Sequence, residues 1–156
     1  MCGSLVGGSS AGATILGDYL VRGDTATNVS MMGDHDEGMA FLKGVAIDQH
    51  LLRLNRHFDL IDVIRARPDL LGIGLDENTA IIVEGDSFEV IGQSYAVIYY
   101  HQRMLDSGGL FYFVAPGDTY DLVTRQFTRP GATVNPGGRV VVRSWPDPPS
   151  DASVPR

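Results

Sequence analysis

A short glycine- and serine-rich run near the N-terminus, Gly7-Gly8-Ser9-Ser10-Ala11-Gly12-Ala13, constrains the fold of this chain more than any other segment. It lies between a short apolar run and a helix-like one, so it predicts a strand, a tight turn and a helix. Within it, Gly8-Ser9-Ser10-Ala11-Gly12 fits the G-x-S-x-G pattern of a nucleophile elbow, whose small residues allow a sharp turn that lifts a serine clear of a sheet. Ser10 is therefore the candidate nucleophile. A plain packing turn or a phosphate-binding loop has a similar composition, and the motif alone leaves these alternatives open.

The residue after the candidate nucleophile, Ala11, opens the predicted helix. Its backbone N–H would face an oxyanion formed at Ser10, and the helix dipole would add to the stabilisation of that charge. Ala11 is therefore the candidate oxyanion-hole residue.

The composition restricts the class of protein. The chain has 156 residues, enough for one domain, and its hydrophobic content of 44% with 20% charged residues is that of an ordinary globular protein. The net charge of −7 argues against a nucleic-acid partner. No run is long enough to cross a bilayer and no signal peptide is visible, which slightly favours the cytoplasm but leaves the compartment open. The single cysteine, Cys2, excludes an internal disulfide and a multi-cysteine zinc site.

One acidic cluster, Asp34-His35-Asp36-Glu37, has residue types that bind divalent cations. No second set of ligands is recognisable, so a solvated acidic loop is the preferred interpretation. We therefore expect no metal.

Apolar runs bounded by turn residues predict a series of strands. A strand over residues 71–75 is followed by a hairpin in which residues 80–83 and 88–91 flank Glu84-Gly85-Asp86-Ser87. Further strands are predicted over residues 3–6, 95–100 and 110–114.

Two helices are predicted, one over residues 11–20 and one that follows residue 48. In the second, apolar residues recur every three or four positions, Asp48 is the candidate N-cap and Pro68 marks the end. The periodic apolar residues are Leu51, Leu54, Phe58 and Ile61. Strands mixed with helices predict an α/β or α+β domain, and α/β is preferred because the elbow belongs to parallel sheets.

A serine nucleophile needs a base, and the best-placed histidine is His50, which follows a predicted strand and opens a predicted helix. The positive helix end would favour the neutral imidazole, the form that accepts a proton from serine. His57 is most simply a surface residue, whereas His101 ends a strand and stays open as a base. For the acid that fixes the histidine tautomer, Asp76 and Glu77 are both available where a strand ends.

These residues give the chain a resemblance to the cyanophycinase family of serine peptidases, which also includes the aspartyl dipeptidases. Three segments carry the resemblance, in the order and approximate spacing of the family: Gly8-Ser9-Ser10-Ala11-Gly12-Ala13, Asp48-Gln49-His50, and Gly72-Ile73-Gly74-Leu75-Asp76-Glu77-Asn78-Thr79-Ala80.

The resemblance implies a fold like that of class I glutamine amidotransferases, a flavodoxin-like parallel sheet between helices. It further implies that Ser10 is the nucleophile, His50 the base and Glu77, rather than Asp76, the acid. Gln49 matches a family position that lines the substrate site.

The resemblance covers about residues 3–113 and looks like the C-terminal half of a family member, with an N-terminal half missing. It implies that residues 1–129 are the C-terminal portion of a catalytic domain, incomplete at its N-terminus. The Pro- and Gly-rich residues 130–156 are then an extension, with a mobile tail at 146–156.

The substrate class also follows from the resemblance. Members that cleave cyanophycin, an aspartate-backbone, arginine-branched polymer, carry a set of arginines after the histidine. This chain has Arg53 and Arg56 there, but Leu54 and Asp59 stand where further arginines are expected. The expected substrates are therefore short acidic or β-aspartyl peptides, with a cyanophycin-like polymer as a poorer one.

The expected reaction is amide hydrolysis through an acyl-enzyme, without a cofactor, and a homodimer is compatible with it. One alternative is an inactive relative that serves as a binding or assembly module. Another is an α/β-hydrolase-type esterase, whose chain order of serine, acid and histidine would use Ser10, Glu77 and His101.

Overall fold

The computed structural model of the chain describes residues 4–27, 30–102, 109–130, 133–134 and 140–141. Cys2 and the predicted tail at 146–156 lie outside these residues. In chain order, the elements are α1 (Ala11–Thr14), β1 (Gly17–Tyr19), β2 (Leu42–Gln49), α2 (Asp59–Ala66), β3 (Leu71–Leu75), β4 (Thr79–Glu84), β5 (Ser87–Gly92), β6 (Ala96–Tyr100), β7 (Tyr112–Val114), β8 (Thr119–Asp121), β9 (Gln126–Thr128), β10 (Thr133–Val134) and β11 (Val140–Val141).

A mixed five-stranded sheet in the order β1-β2-β3-β6-β7 forms the centre of the molecule. β1, β2 and β3 are parallel, whereas β6 and β7 are antiparallel to their neighbours. A second, antiparallel sheet of four strands has the order β4-β5-β8-β9, and β10 pairs with β11. The α/β class is as predicted, but the sheet is parallel only over its first three strands.

Helix α2 covers one face of the central sheet and the second sheet covers the other. The apolar side of α2 buries Leu60, Ile61, Val63 and Ile64 in one cluster with Val97 and Tyr99 of β6. The alternate residues of β6, Ala96 and Ile98, lie in the second cluster with Phe88 and Val90 of β5. Because successive side chains of a strand point to opposite faces, the central sheet is buried on both sides.

The predicted strands after residue 70 are confirmed. β3 spans the predicted residues, and β4 and β5 pair as a hairpin in which Glu84 lies opposite Ser87. β6 and β7 cover most of the two runs predicted as the next strands.

The N-terminal elements differ from the predictions. The helix expected over residues 11–20 is only four residues long. It ends because residues 17–19 pair with β2 as strand β1. Residues 4–6 form no strand in this structure, and Leu5 is fully exposed.

The outer edge of β1 is covered by the chain itself. The backbone N–H of Leu20 donates to the carbonyl of Asp36 at 2.8 Å, and the N–H of Gly38 donates to the carbonyl of Asp18 at 2.8 Å. The segment that carries the predicted acidic loop therefore protects this strand edge.

Candidate active site

Ser10 lies on a tight turn with an unusual backbone. Its φ of 53° and ψ of −126° lie in a region that residues with a side chain seldom occupy. Two backbone hydrogen bonds hold the turn: Gly12 N–H to Ser9 O and Ala13 N–H to Ser10 O, both at 2.9 Å. The turn exposes the Ser10 hydroxyl at the start of α1, as expected of a nucleophile elbow.

The two glycines of the elbow motif play different parts. A Cβ atom on Gly8 would lie 2.1 Å from the carbonyl oxygen of Gly12, so no other residue fits there without opening the turn. A Cβ atom on Gly12 would meet nothing within 4 Å. The close backbone contact therefore requires a glycine at position 8 but not at position 12.

His50 stands between Ser10 and Glu77. Its Nε2 lies 3.1 Å from Ser10 Oγ, and its Nδ1 lies 3.2 Å from Glu77 Oε1. Because an ionised carboxylate only accepts hydrogen bonds, Nδ1 carries the proton that faces Glu77, and Nε2 has a lone pair for the Ser10 hydroxyl. The structure thus brings together all three residues that the sequence analysis picked as nucleophile, base and acid.

The sheet register explains how residues so far apart in sequence meet. Gln49 lies opposite Leu75 at the ends of the parallel pair β2 and β3, so His50 and Glu77 follow at the same edge. His50 has a φ of 55°, a sharp bend directly after β2. The bend is held by Leu51 N–H, which donates to Leu75 O at 3.3 Å.

Gln49 also reaches the candidate nucleophile, with Oε1 at 3.1 Å from Ser10 Oγ. The serine hydroxyl has one proton and can donate it to either Gln49 or His50. Rotation of the Gln49 amide group by 180° would instead present an N–H to Ser10, which leaves the serine proton for His50.

The two adjacent carboxyl groups have separate surroundings. Glu77 is about half exposed and faces His50, whereas Asp76 accepts hydrogen bonds from the backbone N–H of Leu52 and Arg53 and from the Ser94 hydroxyl. Burial disfavours the charged form of Asp76, but these hydrogen bonds outweigh it and lower the pKa of Asp76 below its ordinary value. The sequence pattern alone did not decide whether Asp76 or Glu77 is the acid.

The predicted helix directly after His50 is wrong. Residues 51–55, 57 and 58 lie in turns, and α2 begins only at Asp59. The backbone leaves the helical region at His50 and again at Asn55, whose φ is 56°, and Asp76 binds two of the N–H groups that a helix would leave free at its start. Arg53 and Arg56 therefore do not lie one helical turn apart.

The candidate substrate-binding arginines differ in exposure. The Arg53 side chain is 72% exposed, with Nε 3.9 Å from Glu77 Oε2, at the rim of the site. Arg56 is partly buried, and its backbone N–H donates to Leu51 O at 2.7 Å. The structure thus places one exposed cation directly beside the candidate acid.

Asp48 is not a helix N-cap. It lies within β2, its side chain is fully buried, and its two carboxylate oxygens accept hydrogen bonds from Arg22 at 3.2 and 3.3 Å. Arg22 also donates to Asp59 at 2.6 Å, so one guanidinium joins β2 to the start of α2. Burial opposes the charge of Arg22, but its hydrogen bonds to Asp48 and Asp59 raise the pKa of the guanidinium above its ordinary value.

Sequence reasoning missed Arg22, which lies in a polar segment without periodicity. The one indication of such a partner is that a buried carboxylate at Asp48 would need a cation beside it. The contact of Arg22 with Asp59 also offsets the negative charge of Asp59, which stands where the resemblance implies an arginine.

His101 lies far from this site. It directly follows β6, which runs antiparallel to β3 so that Tyr100 lies opposite Leu71 and Ala96 opposite Leu75. His101 is therefore at the other edge of the sheet, roughly 16 Å from the Leu75 end at about 3.3 Å per residue. The serine, acid and histidine order of an α/β-hydrolase is not assembled here.

The other two histidines also lie outside the site. His57, expected at the surface, is partly buried and packs its ring on Phe58 and Phe111 at centroid distances of 4.2 and 6.0 Å. His35 belongs to the exposed acidic loop, with Nδ1 3.5 Å from Asp34.

The site opens into a groove of about 1000 Å³. One wall is the extended segment of residues 4–9, and the other is strand β4 with the turn that precedes it. Ser10, His50 and Glu77 line this groove together with apolar side chains such as Leu5 and Ile82. The groove has the size and the mixed lining of a site for a small molecule.

Within the part of the chain that the structure describes, no group of three or more His, Cys, Asp or Glu side chains could hold a metal ion. In the same residues, no helix has the length and hydropathy that a membrane span requires.

Comparison with known proteins agrees with the geometry. The family model of peptidase family S51 matches residues 2–91, more than half of the chain. The chain therefore belongs to peptidase family S51.

Curated relatives include cyanophycinases from cyanobacteria. The chain is 33% identical over 141 residues to the cyanophycinase of Synechococcus elongatus, an alignment that covers 79% of this chain and 44% of the relative. It is 35% identical over 94 residues to the cyanophycinase of Nostoc sp., which covers 58% of this chain and 32% of the relative. The chain thus spans less than half the length of these relatives.

Proposed function

We propose that this chain carries the catalytic residues of a serine-type peptidase that hydrolyses amide bonds through an acyl-enzyme. The observation that carries the proposal is the chain of contacts from Ser10 Oγ to His50 Nε2 at 3.1 Å and from His50 Nδ1 to Glu77 Oε1 at 3.2 Å. Membership of peptidase family S51 supports the same reaction.

In the proposed reaction, Ser10 Oγ attacks the carbonyl carbon of the amide while His50 Nε2 accepts the serine proton. His50 then gives that proton to the leaving amine as the C–N bond breaks. Water attacks the acyl-enzyme, His50 accepts a proton from it, and Ser10 recovers its proton as the acid product leaves. Glu77 keeps the imidazole in the required tautomer and stabilises its charged form. These steps require no metal and no cofactor.

The oxyanion of the tetrahedral intermediate would be held by the backbone N–H of Ala11. This N–H lies at the first position of α1, where it has no acceptor within the helix. The contribution expected from a helix dipole is small, because α1 has only four residues.

The proposed substrates are short acidic or β-aspartyl peptides. Gln49 lies beside Ser10, Arg53 lies beside Glu77, and Arg56 follows in the same turn, so cations are available near the candidate site. The relatives are named for cyanophycin, but here Leu54, which is 51% exposed, provides no charged donor at a position where the resemblance implies an arginine. A polymer with regularly spaced carboxylates should therefore bind more weakly to this chain than to a member with that arginine.

For the catalytic domain as a whole we propose the flavodoxin-like arrangement of class I glutamine amidotransferases. The parallel strands β1–β3, with the candidate base and acid at the carboxyl ends of β2 and β3, support it. Residues 1–129 would form the C-terminal portion of that domain and residues 130–156 an extension.

A serine-directed fluorophosphonate probe tests the nucleophile. We expect intact-mass analysis to show one adduct and peptide mapping to place it on Ser10. Ser9→Ala is the matched control and should be labelled like the parent chain, whereas Ser10→Ala should not be labelled. Labelling that persists in Ser10→Ala, or a folded parent chain that is never labelled, would overturn the assignment and favour a binding module.

Substrate preference is tested by incubation with a panel of β-aspartyl dipeptides and, separately, with purified cyanophycin. We expect release of free amino acids from the dipeptides and slow release from the polymer. Rapid release of β-aspartyl-arginine from the polymer would show that the arginine replaced by Leu54 is not needed.

A further inference from the structure

Asp76 makes contacts that its neighbour Glu77 does not. Its Oδ1 accepts hydrogen bonds from Leu52 N–H at 3.0 Å and Arg53 N–H at 3.1 Å, and its Oδ2 accepts one from the Ser94 hydroxyl at 2.6 Å. The acceptor is ionised, so each of these bonds is of the charge-assisted kind, roughly twice as strong as a neutral one.

These contacts tie together the two segments that carry the candidate base and acid. Leu52 and Arg53 belong to the turn that begins at His50, whereas Asp76 and Glu77 follow directly on β3. The hydrogen bond between the backbones of the two strand ends, from Leu51 N–H to Leu75 O, is longer, at 3.3 Å. Asp76 therefore supplies the stronger part of the connection between them.

A third segment supports the carboxylate of Asp76. The Ser94 hydroxyl binds Asp76, and the Ser94 N–H donates to Thr79 Oγ1 at 3.0 Å, which itself donates to the carbonyl of Glu77 at 3.3 Å. The backbone on both sides of Glu77 is thus held by the residues that hold Asp76. A carboxylate supported in this way cannot rotate without breaking several bonds.

We propose that Asp76 is a positioning residue, which fixes the turn that bears His50 so that the imidazole stays within hydrogen-bonding distance of Glu77. The contact between His50 and Glu77 is present in the structure, and only its catalytic importance rests on the proposed function. In this role Asp76 acts through His50, because both of its carboxylate oxygens are engaged by Leu52, Arg53 and Ser94. A shift of about 1 Å at a reacting group costs about a hundredfold in rate, and this is the scale expected if the link is lost.

The hydrogen bonds that lower the pKa of Asp76 agree with this role, because they favour the charged carboxylate that accepts them. If Asp76 acted instead as the acid of the triad, an amide in its place would be as harmful as its complete removal. An asparagine at this position can accept from Leu52 and Arg53 through Oδ1 and donate to Ser94 through Nδ2. The positioning role therefore survives the change to asparagine but not the change to alanine.

The test compares Asp76→Ala with Asp76→Asn in the full chain. Asp121→Ala is the matched control, because Asp121 accepts the N–H groups of Val123 and Thr124 in a similar way but in the second sheet. Two readouts are taken below the melting temperature of every variant. The first is the tautomer of His50 from a long-range ¹H–¹⁵N spectrum, with the signals assigned by their loss in His50→Gln. The second is the rate of Ser10 labelling by the fluorophosphonate probe.

We expect Asp76→Ala to lose the Nδ1–H preference of His50 and to be labelled about a hundredfold more slowly. Asp76→Asn should keep the tautomer and stay within about tenfold of the parent rate, and Asp121→Ala should match the parent in both readouts. If Asp76→Ala does not fold, Asp76→Ser, whose side chain is too short to span the same gap, carries the same expectation.

Parent-like tautomer and labelling in the folded alanine or serine variant would overturn the proposal. Equal losses in Asp76→Asn and Asp76→Ala would also overturn it and make Asp76 the acid. If the parent chain is not labelled at all, the proposed function fails, but the tautomer of His50 still decides whether Asp76 positions it.

Discussion

Gln49 and Leu75 are register partners at the last pairing of two neighbouring parallel strands. One residue after Gln49 comes the histidine, and two residues after Leu75 comes the glutamate. The distance of 3.2 Å between His50 and Glu77 is thus a consequence of where two strands end in the same sheet. This origin makes the pair sensitive to changes in the turns that follow the strands and insensitive to changes at the opposite edge.

The two glycines of the elbow should respond differently to substitution. Gly8→Ala forces a Cβ atom within 2.1 Å of the carbonyl oxygen of Gly12, so the turn must open and Ser10 must move. We expect fluorophosphonate labelling of Ser10 to fall by about a hundredfold. Gly12→Ala is the matched control and should keep the parent rate, since its Cβ meets no atom. Equal rates in the two variants would show that the close backbone contact does not hold the elbow.

Substitution of each histidine that follows a strand should show which of the two, His50 or His101, acts as the base. In His50→Ala, labelling of Ser10 and hydrolysis of an amide substrate should fall by roughly three orders of magnitude or more, the scale seen when the base of a triad is removed. His101→Ala should change both little, because His101 lies at the other edge of the central sheet. Product release is measured in stopped assays. A large loss in His101→Ala with little change in His50→Ala would support the esterase alternative, which uses His101 as the base.

The buried ion pair beneath the site should matter for stability. Arg22→Met leaves the carboxylate of Asp48, whose side chain has no exposure, without its cation. We expect a loss of about 3–5 kcal/mol in the free energy of unfolding, measured by urea denaturation. Arg65→Met removes one partner of an exposed pair, Arg65 with Asp62 at 3.7 Å, and should stay within about 0.5 kcal/mol of the parent. A loss in Arg22→Met no larger than in Arg65→Met would contradict this account.

Asp34 in the exposed acidic loop should titrate at low pH. Hydrogen bonds from the Thr25 hydroxyl and the Thr25 N–H lower the pKa of Asp34 from 3.8 to about 2. Because the folded pKa is depressed, the stabilisation of the loop is complete above about pH 4 and is lost as the pH falls through about 2. The chemical shift of the Asp34 carboxyl carbon should follow this midpoint in an NMR titration.

Two variants test the origin of that midpoint. Thr25→Ala should raise it towards 3.8, whereas Ser30→Ala should not, since Ser30 donates to Met32 O and not to Asp34. A parent midpoint already near 3.8 would be the contrary result.

How much of the fold was predictable depends on whether the signal is local. β3 and the hairpin of β4 and β5 could be predicted because short apolar runs bounded by turn residues specify them without reference to the rest of the chain. The direction of β6 could not be predicted, since an apolar strand has the same sequence pattern whether it pairs in a parallel or an antiparallel way. The location of His101 depends on that direction.

The candidate site was predictable where a motif fixed the local geometry. The elbow turn and its serine are encoded in adjacent small residues. The turn after His50 was predicted as helix because Leu51 and Leu54 have helical spacing, yet two residues with positive φ and a distant carboxylate hold the backbone in turns. The contact between Arg22 and Asp48 spans 26 residues, and no local pattern indicates it.

Because β6 runs antiparallel to β3, it ends at the edge of the central sheet opposite the candidate site. One edge holds the groove and the candidate reacting groups, while at the other the chain leaves β6 through His101 and the exposed Gln102. A dye or a surface anchor attached at Gln102 would therefore leave the groove open to solvent. The chain could be immobilised by that edge and its encounters with single substrate molecules followed at the opposite one.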